Sequence, residues 1–205
     1  MNIDRLRQAE AEFLAQYPDG FNDDGLAHIR KSHNVEALSV FAQENLTPIT
    51  LEQPDKLAEV LLKIVSRSSM VSRFEKPAFR EFINSLNGHD KEYLAQAVRN
   101  RLTGRKKKAG FEAMRDMLAT HKIARWSVLS AVPFYFAPQR EVFVKPTTAK
   151  KIVLLLEAED LHYHPKPDWA FYSGYQSLIR EVRKQVAPSL GTNNAAITGF
   201  LMSTL

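Results

Sequence analysis

An all-α fold with at most one short β segment is what this sequence predicts, on three observations. Apolar residues recur at helical spacing in nearly every segment. Turn and stop signals, such as Pro18-Asp19-Gly20, Gly104, and Pro188 with Gly191, end several of those segments. Only one run, residues 141–145 (EVFVK), reads as a strand, and it has no obvious partner.

The elements follow in order. Leu6, Ala9, Phe13 and Tyr17 share one helical face, which Pro18-Asp19-Gly20 terminates. Val35, Leu38, Ala42 and Leu46 form a second, with Asn34 as the expected N-cap. Pro48 and Pro54 bracket a loop. Leu57, Val60, Leu61, Ile64 and Val65 then make the most regular stripe in the chain. Phe79, Phe82, Ile83 and Leu86 follow Pro77, which suits a first helical turn. Leu94, Ala97 and Val98 continue the pattern until Gly104, placed as a C′ glycine. Phe111, Met114 and Leu118 begin the next helix.

From Trp126 the texture changes. Ten of the twenty aromatic residues fall between Trp126 and Tyr175, interrupted by five prolines. Such a block suits core packing with tight turns, although aromatics beside cations also stack bases. Thr147 or Thr148 is expected to cap a helix through Ile152. Tyr172, Tyr175, Ile179, Val182 and Val186 define a long amphipathic helix ended by Pro188 and Gly191. The segment 193–205 is apolar enough to dock or to self-associate. Residues 1–205 are expected to form a single compact unit of roughly eight to ten helices, each near the usual length. A sub-boundary near 67–73 is possible, where the chain is polar and loop-like.

The chain has no cysteine, so disulfides, thiolate metal sites and cysteine nucleophiles are excluded. The first residues carry Asp4, Arg5, Arg7 and Glu10 instead of an apolar leader, and no run approaches a membrane span. The expected setting is cytoplasmic. No nucleotide-binding glycine pattern, nucleophile elbow or zinc-protease motif is present, and no cofactor is implied.

The net charge of +5 is unevenly placed. Residues 99–125 hold Arg99, Arg101, Arg105, Lys106, Lys107, Lys108, Arg115, Lys122 and Arg125 against two acids, a net +7, and the remainder is −2. A concentrated basic segment attracts polyanions or acidic surfaces, whereas a diffuse excess mainly affects solubility. Lysines at a helix start oppose the helix dipole, and free N–H groups beside them suit phosphate. The alternative is a solvated loop that happens to be basic. His162 and His164 form a His-x-His pair that metals can use, but no third ligand is set by spacing. Glu157, Glu159 and Asp160 are adjacent carboxylates that read either as acid–base groups or as a charged helix end.

Two resemblances attach to these residues. Phe143-Val144-Lys145-Pro146, followed by Tyr163, Pro165, Pro167, Trp169 and Tyr172, resembles a pattern in bacterial helical proteins of unassigned activity. Thr148-Ala149-Lys150-Lys151-Ile152 is similar to a fragment of helix-hairpin-helix DNA glycosylases. The Gly-x-Gly hairpin of that family is absent, and Lys145 and Pro146 stand where its aspartate is expected. The second resemblance implies a helical enzyme acting on DNA bases, with Lys145 as its candidate amine. Without it, the residues point to a non-catalytic nucleic-acid-binding or accessory protein using 99–125. An acidic protein partner on the same patch is the remaining reading.

Overall fold

The computed structural model describes residues 1–204, and among them it is helical with no strand. The chain runs through α1 (Ile3–Gln16), α2 (Ala27–His33), α3 (Val35–Asn45), the single turn α4 (Pro48–Leu51), α5 (Pro54–Arg67) and α6 (Glu75–Ser85). It continues through α7 (Gly88–Leu102), α8 (Lys107–Thr120), α9 (Trp126–Phe136), α10 (Pro146–Leu155), α11 (Trp169–Gln185) and α12 (Asn194–Ser203). Asn2, Asn87, Asp168 and Asn193 cap their helices by accepting a backbone N–H.

The stripes expected from spacing face inward. Leu6, Ala9 and Phe13 are buried on α1, and all five stripe residues of α5 are buried. Gly20 ends the first turn with φ +62°, a conformation that glycine adopts freely. Helix α9 differs in kind: residues from Trp126 to Tyr135 are buried on every side. A helix apolar all round belongs in the centre. It packs against α3, α5, α7 and α8, while α12 packs against α1, α10 and α11. One continuous apolar core runs from Leu6 to Leu201. Within 67–73 the fully buried Ser68 is hydrogen-bonded to the Tyr135 hydroxyl at 2.9 Å and accepts from the N–H groups of Met70 and Val71.

Three local expectations are corrected. Asn34 precedes α3, but in the left-handed region (φ 42°) it makes no side-chain cap and instead turns α2 into α3. Helix α10 starts earlier than Thr147 or Thr148 would place it, with Lys145 as N-cap and Pro146 as its first residue. Residues 141–145 are extended but join no sheet. Side chains bond the backbone there instead: Ser130 Oγ accepts from Val144 N at 2.9 Å, Tyr172 donates to the Val142 carbonyl, and Asn194 donates to the Glu141 carbonyl. Four consecutive residues, Glu141 to Val144, are thereby buried, which a half-exposed strand would not allow. Of the segment 193–205, α12 docks through Ile197, Phe200 and Leu201, and Leu205 lies outside the described residues.

The α7–α8 hairpin closes on a glycine. A Cβ at Gly110 would lie 2.5 Å from Arg101 N and 2.6 Å from the Ala97 carbonyl. The two backbones touch there with no space for a methyl group. Helix propensity alone would make Gly110→Ala stabilising by about 1 kcal/mol. Steric overlap with fixed backbone should reverse the sign, and a net loss of about 1–3 kcal/mol is expected in urea unfolding.

Candidate nucleic-acid interface

The basic segment does not form one face. Arg101 is 1% exposed and belongs to the core. Its terminal nitrogens donate to both oxygens of Glu141, at 2.7 and 3.2 Å. Its guanidinium lies 4.9 Å from the Tyr172 ring and 5.5 Å from the Trp169 ring. The expectation that Arg101 contacts a ligand is therefore corrected: burial removes it from any surface. Arg99 pairs with Glu52, and Arg115 Nε donates to Asp116 at 2.8 Å. Lys108 approaches Glu112 loosely, at 3.9 Å.

Arg105, Lys106, Lys107 and Lys108 remain exposed at the start of α8. Lys106 is the N-cap residue and makes no side-chain cap, and no acid occupies the first turn. Lys107 reaches inward to 3.7 Å from Glu141 Oε1, across the rim of the buried pair. Lys122 and Arg125, also exposed, follow the other end of α8. They are about 20 Å from the first group along the axis of a 14-residue helix.

Glu141 is the most heavily bonded carboxylate in the region. Besides Arg101 it accepts from the Tyr172 hydroxyl at 3.0 Å and from Gln176 at 3.0 Å. Burial alone would raise its pKa. The bonds and charge of Arg101, with Tyr172 and Lys107, more than offset that and hold it below the usual carboxylate range. Burial pushes the Tyr172 and Tyr175 hydroxyls up.

A second feature lies along α8. Arg115 faces the loop 157–168 across a groove of about 610 Å³ lined also by Asp160, His162, His164, Lys166 and Asp168. The hydrogen bond to Asp116 leads the interactions that raise the Arg115 pKa, and the charge of Asp168 adds to them. His162 and His164 are exposed on the wall of the groove. Among the described residues no third His, Cys, Asp or Glu gathers with them in a metal-binding group. Lys145 stands elsewhere, exposed at the N-cap of α10 and outside the groove. Glu157 takes a left-handed turn (φ 48°) and bonds Arg5 and Asn2, tying down the N-terminus. Glu159 is exposed. Among the described residues no helix is long and apolar enough to cross a membrane. No protein family model matches the chain, and no curated protein or solved structure matches it.

Spacing could have found Arg101. It follows Leu94 and Val98 at i, i+4, i+7, on the buried stripe of α7. Glu141, its partner, directly precedes the apolar run 142–144.

Two outcomes follow from the pair. Arg101→Ala strands a buried carboxylate and should cost about 3–5 kcal/mol, whereas Arg101→Met with Glu141→Leu should lie closer to the parent than either single change. Denaturant unfolding of the four proteins checks this. The pH dependence has a defined sign. The Glu141 carboxyl binds protons more weakly in the folded than in the unfolded chain, so its contribution is present above the ordinary carboxylate range, about pH 4, and is lost as pH falls through its lowered folded value. Tyr172 and Tyr175 act at the other end: their contribution is present below about pH 10 and lost as pH rises through their raised folded values. Glu141→Gln should flatten only the acid limb of a Tm-versus-pH curve.

Proposed function

We propose that the chain is a non-catalytic binding protein for nucleic acid, holding the phosphate backbone at the turn between α7 and α8. The observation that supports this is the start of α8. Four exposed cations in a row, Arg105 to Lys108, surround a helix N-terminus that lacks both a side-chain cap and an acid in its first turn. Without an anion this arrangement opposes the helix dipole. With a phosphate it joins free backbone N–H donors to mobile charge. The contact set is smaller than the nine cations of the segment, because Arg101 is buried and Arg99 is engaged by Glu52. Contacts to phosphate confer affinity without sequence selectivity.

An enzyme acting at Lys145 draws no comparable support. That lysine stands exposed beside Pro146 and does not line the groove. The test is a salt titration of binding to mixed-sequence DNA and RNA. Affinity should fall linearly on log–log axes, each neutralised phosphate contributing about 0.7–0.9 to the slope. Replacing Lys106, Lys107 and Lys108 together with alanine should lower the slope by about two to three while leaving the fold intact. An unchanged slope, or no binding by the parent protein at low salt, would sink the reading.

A further inference from the structure

We infer that the groove between Arg115 and the loop 157–168 is a separate binding site for a phosphate group that keeps a proton, as inorganic phosphate does and as a phosphate monoester does near pH ~6. The wall is a built one. Trp126 donates its indole N–H to the His164 carbonyl at 2.7 Å, pinning the loop from the core. Leu161 fits into a notch at Gly174, where a Cβ would overlap its Cδ2 atom. The groove volume of about 610 Å³ exceeds a single phosphate and leaves room for a small organic group on it.

Donors and acceptors are both present. Only Nε of Arg115 is engaged, by Asp116, so the forked end of the guanidinium makes no hydrogen bond among the described residues. A free guanidinium fork matches two oxygens of a phosphate. Lys166, His162 and His164 add donors from the facing loop. Among the carboxylates, Asp168 Oδ1 is occupied in capping α11, accepting from Phe171 N at 2.8 Å. Its other oxygen, Oδ2, is buried and has no partner. An orphaned acceptor calls for a donor. A fully ionised anion would be repelled there, whereas the P–OH of a protonated phosphate would donate to it.

The formal charges of the groove cancel. Within the groove Arg115 and Lys166 are balanced by Asp160 and Asp168. Outside it on α8, Asp116 engages Arg115, and Glu112 faces Lys108. Lys150 of α10 sits over the ring of Tyr163, between the two histidines in sequence. With those charges balanced, an anion is held by the donors of Arg115, Lys166, His162 and His164 rather than by net charge. A metal ion is disfavoured by the lack of a third ligand among the described residues.

The imidazole NMR signals of His162 and His164 report the groove directly, independently of the α7–α8 turn. Titration with inorganic phosphate near pH ~6, where the ligand keeps a proton, should shift both. Sulfate, which has no proton to offer, should bind at least ~10-fold more weakly than phosphate at that pH. Asp168→Asn keeps the helix cap, since asparagine caps as well as aspartate, and should abolish the preference for phosphate over sulfate. Arg115→Gln should remove binding of both. No histidine shift with phosphate near pH ~6, or equal binding of sulfate by the parent protein, overturns the inference. A 5′-phosphorylated tetranucleotide and its unphosphorylated form separate the two sources of ligand. Shifts with the phosphorylated strand identify a strand end, and shifts with phosphate alone identify a small monoester. The triple lysine variant should leave all these shifts unchanged, so a failed backbone contact at the turn and a failed groove are told apart.

Discussion

The structure depends on meeting one electrostatic requirement: a guanidinium buried at Arg101 has to find a carboxylate. Glu141 supplies it, with a bidentate contact. Around that pair several elements converge. Arg101 comes from the end of α7, Glu141 from the extended segment before α10, Tyr172 and Gln176 from α11, and Lys107 from the start of α8. Asn194 of α12 holds the Glu141 backbone rather than its charge. A buried pair of this kind contributes little net stability against an apolar isostere, because desolvation offsets most of the attraction. Its effect here is on register. Sliding any one of the converging elements by a residue would leave an ion or a polar group unpaired in the core.

Gly110 is the steric counterpart of that requirement. Gly110 lets α8 cross α7 at backbone contact, directly against the backbone of Arg101. The same crossing sends Lys107 towards the inner face, where Phe111, Met114 and Leu118 are buried at helical spacing. Lys108 and Arg115, seven residues apart, share a different face, about 10 Å from one another along the axis. One helix thus divides its cations between the rim of the core, the turn and the groove.

The sequence made some of this legible and hid the rest for physical reasons. The stripe on α5 was readable because one face is apolar and the other charged, so that period and burial coincide. The aromatic block was readable as core, and Trp126, Tyr135, Phe171, Tyr172 and Tyr175 are all buried. Residues 141–145 were readable as extended but not as a strap, because their hydrogen-bond partners are side chains distant in sequence: Ser130, Tyr172 and Asn194. Periodicity reports which face of an element is wet, and a segment dry on both faces has no such signature. Arg101 reads as a surface cation by its charge, whereas its place on the α7 stripe puts it in the core. The groove was unreadable for another reason. His162 and His164 are close to each other in sequence, but Arg115 is brought to them only by the packing of α8 near α11.

The cations of the basic segment are therefore not equivalent, although they are adjacent in sequence. Removing Arg101 strands Glu141 inside the protein. Removing Lys107 does not, since the carboxylate keeps both contacts from Arg101 and the hydroxyl of Tyr172. An anion arriving at the α8 N-terminus would draw Lys107 outward from its 3.7 Å approach to Glu141 without unpairing the core. Arg105, Lys106 and Lys108 have no contact with that network. Arg105, Lys106 and Lys108 thus stay at a helix start where they oppose the dipole, while Lys107 alone of the four reaches the pair.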